Sequence, residues 1–469
     1  MTAVSAPRTD AHRPAHHLTP SSTWMNDPNG LIRHDGVWHA FFQNNPYGSL
    51  WGHLSWGHAT SPDLASWTEQ PVAIEATAEE MIFSGSVVHD AHNTSGLGAD
   101  GDGPLVAIFT SAFTDAHPTR AGIQAQSLAS STDGGLTWTR YAGNPVLDRD
   151  SANFRDPKVF WHEETGRWVM VAVEALDHTL HVHTSADLIT WEHASEFTDP
   201  RVDGGIWECP DLLRVPVDGA DGGEAWVLIL STNPGGPAGG SGTYGIVGSF
   251  DGTAFTAGAD PVPLDLGPDA YATVSFSGVE GTPVLLGWMN NWDYATTTPT
   301  DPWRSSMTLP RTLHLARGED GALVLRQHLV VPESVPTLEL EVPSASDEPV
   351  ELARLDGGSP FRLRGALPRG RALDLVLRFA TEDGPREVVV ALDADGAVTV
   401  DRSRAHLTGF APEHARSAPW PAAEFAEVPF ELVMDRSCLE LELDGGLALV
   451  SQQIFPGGGE VTVLAVPRS

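Results

Sequence analysis

The feature that most constrains this chain is a repeat of irregular period. Four short segments, "SPDLASW" (61–67), "STDGGLTW" (131–138), "SADLITW" (185–191) and "SFDGTAF" (249–255), share a Ser-x-Asp start and an aromatic end. Short Ser and Asp side chains favour a turn, and the aromatic residue can open a buried strand. The aspartates Asp63, Asp133, Asp187 and Asp251 step by 70, 54 and 64 residues, enough for four antiparallel strands with loops. A second series runs in phase: "WMNDPNG" (24–30), "FSGS" (83–86), "FRDPKV" (154–159), "WECPDL" (207–212) and "YATVSF" (271–276). Counted from Asp27, Ser84, Asp156, Glu208 and Tyr271, its steps are 57, 72, 52 and 63. Two independent markers on one period identify a repeated structural unit.

Small sheets repeated radially make a β-propeller, with the first strand of each blade bordering a central channel. Five markers predict five blades over residues 21–330, after a flexible tail at 1–20. Asp27, Asp156 and Glu208 then lie on inner strands and can face one axial cavity. Beyond "LVVPESVP" (329–336) the pattern becomes strict alternation, as in "ALDLVLRF" (372–379) and "LELELDGGLALV" (439–450). Such strands bury one face, and Asp395-Gly396 and Asp444-Gly445 are hairpin turn signals. A linker at 331–339 and a β-sandwich over 340–469 are expected. No long stretch carries a helical apolar period, and 47 glycines and 36 prolines suit the same all-β class.

Breaking a glycosidic bond needs one protonated carboxyl group to release the leaving oxygen, and one ionised group to attack the anomeric carbon or activate water. Asp27 and Glu208 are the candidates. Asp156 follows Arg155, whose charge is expected to hold the aspartate ionised and oriented towards sugar hydroxyls. Any one of these motifs alone is more often a turn piece, but three at one phase of a repeat form a stronger signal. Aromatic faces pack on sugar C–H faces, which draws attention to Trp51 and Trp303. Trp67, Trp138 and Trp191, in the repeated turns, are expected to be core.

With 62 acidic and 27 basic side chains the net charge is -35, which repels nucleic acid and anionic membranes. A neutral or cationic ligand fits better, although such charge also serves solubility alone. Cys209 and Cys438 fall in different predicted domains and read as packing rather than a disulfide or a thiol nucleophile. No stretch has the length and apolarity of a membrane span or a signal-peptide core, so a cytoplasmic location is expected unless a leader was trimmed. His12, His16 and His17 read as a solvated tail without a metal. The glycine-rich "NPGGPAGGSG" (233–242) lacks the ending of a phosphate-binding loop and is expected to border the channel mouth.

Taken with "FFQNNPYG", "WGHLSWGHATSPDLASW", "QAQSLASSTDGGLTW", "GWMNNWDYA", "PTDPWRSSMTLPR" and "MDRSCLELELDGG", these motifs make the chain resemble the retaining β-fructosidases of glycoside hydrolase family 32, which include invertases, exo-inulinases and levanases. The resemblance covers almost the whole chain. It implies a five-bladed propeller with a C-terminal sandwich, Asp27 as nucleophile, Glu208 as acid/base, and Asp156 stabilising the transition state through the 3- and 4-hydroxyls. It also implies that Asn26, Gln43, Trp51, Phe83, Ser84, Arg155 and Trp303 line the pocket for a terminal fructosyl unit, with no metal or organic cofactor. "GTYGIVG" (242–248) and "PWRSSM" (302–307) depart from the commoner "GTQYFVG" and "PWRGAM". The expected activity is exo-hydrolysis of fructans or sucrose through a fructosyl-enzyme intermediate. Transfructosylation and sucrose 6-phosphate hydrolysis are its nearer rivals, and a silent carbohydrate-binding propeller is the rival from another class. The sandwich is expected to pack on the propeller or build a homodimer.

Overall fold

The computed structural model describes residues 11–468 except 99–102, 220–221, 319, 345, 369, 407–409, 411 and 422–426. Among the described residues there is no α-helix, and short 3-10 turns at 11–12 and Ala295–Thr297 accompany an otherwise β-rich chain. Seven sheets form. The first five follow one another along the chain, each built around four consecutive antiparallel strands, with short additional strands pairing onto the fourth and fifth.

The repeated Ser-x-Asp segments join the third and fourth strands of the first four sheets. Asp63 accepts hydrogen bonds from the backbone N–H groups of Ala65 (3.0 Å) and Ser66 (2.7 Å), and Asp187 from those of Ile189 (2.9 Å) and Thr190 (2.7 Å). Asp133 and Asp251 do the same with Leu136, Thr137, Thr253 and Ala254. The residue after each aspartate, Leu64, Gly134, Leu188 or Gly252, has a left-handed backbone, so one turn conformation recurs in all four sheets. In the fifth sheet the last two strands are joined instead where Gly318 N–H donates to the Ala322 carbonyl oxygen, without a Ser-x-Asp segment.

The first strands of these sheets are Trp24–His34, Glu80–His89, Phe154–His162, Ile206–Pro216 and Tyr271–Ser275. They touch one another in chain order, and the fifth also touches the first. Parallel bridges from Ile32 to Ser277 and from Trp24 to Arg304 join the two ends of the series. Between neighbouring sheets the filling is aliphatic and aromatic, for example Val171, Trp207, Leu228 and Phe250 between the third and fourth.

The remaining two sheets, of five and six strands, span Thr337–Pro467 and face each other across a core that includes Leu363, Leu377, Val390, Leu432 and Leu441. They are joined to the first five by a buried charge network. Arg311 lies 2.8 Å from both Asp265 and Glu440, and Arg402 reaches Asp269 and Tyr294. The expectation of a solvated histidine tail is corrected here. His12 and His17 are buried, and the His17 ring bridges Asp435 (2.9 Å) and Glu440 (3.1 Å). Nothing in the local sequence announces these partners, which lie more than 400 residues further along the chain.

Candidate active site

All five first strands slip register within the marker motif. Two residues face one partner between Met25 and Pro28, Ile82 and Gly85, Arg155 and Lys158, Glu208 and Asp211, and Tyr271 and Val274. A bulge bends its strand and re-aims side chains, so this device turns carboxylates out of the ladder. The three acids do not occupy strictly equivalent positions, however. Asp27 is the second residue of its bulge, Asp156 the first of its own, and Glu208 immediately precedes one. Asp156 (φ 61) and Cys209 (φ 48) adopt the left-handed region, at a cost of roughly 1–3 kcal/mol each that clusters at functional sites.

These strands surround a cavity of about 220 Å3 lined by Asn26, Asp27, Gln43, Trp51, Phe83, Ser84, Arg155, Asp156 and Glu208, together with Leu54, Ile206, Asn233 and Trp292. Nine of the ten residues singled out from sequence therefore meet in one place. Trp303 does not. It is 1% exposed, outside the cavity lining, with the Arg13 guanidinium 4.8 Å from its ring centroid. That expectation is corrected: the indole is packing under the N-terminal segment, and Trp292 supplies the aromatic wall instead. Trp292 stacks on Trp24, whose indole N–H donates to Asn26 Oδ1 at 2.7 Å. The motif "GWMNNWDYA" contains Trp292, and Asn233 opens the glycine-rich segment, so both carried a signal that was not read as cavity lining. Trp51, 45% exposed, stands at the rim near Phe83.

Asp27 accepts a hydrogen bond from Ser84 Oγ at 3.0 Å. Asp156 accepts one from the Cys209 backbone N–H at 3.0 Å, and its own N–H donates to Thr110 Oγ1 at 2.9 Å. Glu208 accepts from the Tyr271 hydroxyl, and Arg155 Nη2 lies 3.2 Å from its other oxygen. Arg155 is 3.9 Å from Asp156. Arg155 thus pairs with both acids and sits closer to Glu208, and the expectation that it holds Asp156 ionised is corrected, because burial of the carboxyl group outweighs its charge. The Cys209 thiol lies 3.6 Å from Asp27 and 3.8 Å from Asp156. Burial, reinforced by these acids, pushes its pKa well up, which keeps it a neutral thiol.

Burial raises Asp27 to about 6, with the charge of Glu208 adding to the rise and hydrogen bonds from Asn26 and Ser84 opposing it. Burial likewise raises Asp156, to about 7, against the pull of Arg155. Three carboxyl groups crowd around one guanidinium and cannot all ionise cheaply. Near neutral pH these rises keep Asp27 largely ionised and leave Asp156 partly protonated.

Carboxyl groups gathered in one cavity on an all-β scaffold suit a hydrolase of the glycoside-cleaving class. Residues 17–327 match the N-terminal domain of the glycosyl hydrolases family 32, and the chain belongs to that family. It is 38% identical over 490 residues to an extracellular exo-inulinase of Aspergillus niger, covering 96% of this chain and 90% of that protein. It is also 38% identical over 460 residues to a levanase of Bacillus subtilis, covering 95% of this chain and 66% of that one. A fructofuranosidase from Schwanniomyces occidentalis, solved with fructose, superposes with a TM-score of 0.87 at 31% identity over 99% of this chain and 97% of that one. The cytoplasmic expectation is overturned by the first of these relatives, whose extracellular naming points to secretion. It rested on the start of the chain and on few cysteines, neither of which determines compartment, because a chain of this length builds large cores without disulfides.

Proposed function

We propose that the first five sheets form a five-bladed β-propeller over residues 21–330, linked by 331–336 to a β-sandwich whose first strand, Thr337–Glu339, starts three residues before the expected boundary at 340. The propeller cavity is assigned to removal of terminal non-reducing β-D-fructofuranosyl units from levan, inulin-type fructans or sucrose, with retention. Asp27 attacks the anomeric carbon to give a fructosyl-enzyme. Glu208 protonates the leaving oxygen and then activates water, while Asp156 holds ring hydroxyls and answers developing positive charge. Asn26, Gln43, Phe83, Ser84, Arg155 and Trp292 shape the terminal sugar's pocket, and Trp51 faces the leaving group at the rim.

The observation that carries this reading is the convergence of Asp27, Asp156 and Glu208, from three different sheets, on one small cavity. Its volume of about 220 Å3 is below the ~300–1,000 Å3 of drug-sized pockets, which favours a single terminal unit over an internal stretch of polymer. Arg155 is the only cation among its lining residues and is already engaged by Glu208. That argues for an unphosphorylated substrate. The sandwich buttresses the propeller through the Arg311 and Arg402 networks, and a homodimer through its sheets is the companion expectation, checked by sedimentation.

The test is the anomeric form of fructose first released from sucrose or inulin, read by NMR, together with turnover of Asp27→Ala and Glu208→Ala. Retained β-fructose and losses of orders of magnitude in kcat are expected for groups acting in the transition state. An inverted first product, or full activity in Asp27→Ala, overturns the assignment.

A further inference from the structure

Away from the carboxylate cavity, the outer edge of the third sheet gathers three metal-ligating side chains. His181 lies on the strand Thr179–Ser185, and His193 and Glu196 lie on the edge strand Glu192–Phe197. In a plain strand, residues three apart point to opposite faces. Here the register changes between Val182 and His183: Val182 pairs with Ser195 but His183 with His193, which leaves Ala194 as an extra residue. The bulge inverts the parity of the edge strand and brings His193 to the face occupied by Glu196 and by His181, its cross-strand partner.

The ligand atoms then form a nearly regular triangle. His181 Nδ1 is 3.4 Å from His193 Nε2 and 3.5 Å from Glu196 Oε1, and His193 Nε2 is 3.7 Å from Glu196 Oε1. A point equidistant from the three lies about 2.0 Å from each, which is the bond length of zinc to imidazole nitrogen and carboxylate oxygen. Ser195, between two of the ligands, donates to the Thr253 carbonyl oxygen at 2.6 Å in the next sheet, so the edge strand is held in place. Beside the triangle runs a cleft that also presents Glu174, Asp177 and Asp150, a local negative field suited to a cation, with Arg149 turned towards Glu174 at 3.4 Å.

The geometry points to a divalent-cation site formed by His181, His193 and Glu196, which takes a first-row ion of the zinc type and leaves a position for water. Two imidazoles and a carboxylate select such ions over magnesium or calcium. The site fastens the exposed edge strand to its neighbour in the sheet whose inner strand carries Asp156, and it is independent of the hydrolytic assignment.

Untagged full-length protein, stripped with a chelator, would be titrated with zinc chloride by calorimetry, with melting followed in parallel. A single equivalent should bind and raise Tm, magnesium chloride should do neither, and His193→Ala or Glu196→Gln should weaken zinc binding by about tenfold or more. His414→Ala, which disrupts the separate Asp293, Glu413 and His414 cluster, should leave that equivalent in place. Fructose release by each variant reports that it has folded. Absence of stoichiometric binding to the wild type, or undiminished binding to a folded His193→Ala protein, overturns the proposal.

Discussion

His17 gives a quantitative test of how the N-terminal segment is fastened. Burial pulls its imidazole pKa down, but hydrogen bonds and charge from Asp435 and Glu440 outweigh burial and raise it from 6.5 to about 9. At ~1.4 kcal/mol per pKa unit, such a rise is worth on the order of 3 kcal/mol of stability. Because the folded value exceeds the unfolded one, that contribution is complete below pH 6.5 and disappears as the pH climbs through 9. Asp435 and Glu440, both lowered to about 2, contribute in the opposite sense, fully above about pH 4.5 and progressively less towards pH 2. In urea titrations followed by tryptophan fluorescence, the wild type should lose about 3 kcal/mol between pH 6.5 and 9.5, and His17→Gln less than about 1. At pH 6 the variant itself should be ~3–5 kcal/mol less stable, because buried Asp435 loses its charged partner and keeps the backbone N–H groups of Ala15 and His16, while Glu440 keeps Arg311. Parallel profiles for the two proteins across the alkaline range would refute the bridge.

Asp27 carries the opposite energetic sign. Its folded pKa of about 6 lies above the ordinary 3.8, so ionising it burdens the fold, not at all below 3.8 and fully above 6. Asp27→Asn should therefore be inactive yet ~1–3 kcal/mol more stable than wild type at pH 8, and no more stable near pH 3.5; a destabilised variant at pH 8 would count against this. In the wild type, the acid limb of kcat/KM should fall off near pH 6 as Asp27 gains a proton, and a limb that remains flat to pH 4.5 contradicts the nucleophile's environment. The two tryptophans separate cleanly. Trp292→Ala should raise KM by about tenfold or more with a loss of stability smaller than that of Trp303→Ala, which should lower stability by ~3–5 kcal/mol with KM nearly unchanged.

The repeat was legible because its chemistry is local. A Ser-x-Asp turn is closed by backbone donors within four residues of the aspartate, as at Asp63 and Asp133, so its spacing can be read without any partner strand. The carboxylates were legible for a related reason, since each sits in or beside a motif with a proline or glycine that interrupts the ladder. What could not be read is the aim of each side chain. A bulge exists only relative to the opposite strand, and the one-residue offsets among Asp27, Asp156 and Glu208 are what bring Arg155 closer to Glu208 than to Asp156. Long-range partners were equally hidden, which is why His17 looked solvated and Trp303 looked like pocket wall.

This division also bears on what the cavity can accept. A net charge of -35 describes the chain as a whole, but Arg311, Arg386, Arg402 and Lys158 are all buried away from the cavity, where they neutralise acids or cap carbonyls. Only Arg155 remains to face the three carboxyl groups, and Glu208 already engages it. An anionic group entering that cavity would meet crowded carboxyl groups without a free cation, whereas an uncharged furanose brings hydroxyl donors that these carboxylates can accept. The same crowding that raises Asp27 and Asp156 therefore disfavours an anionic ligand and favours an uncharged one.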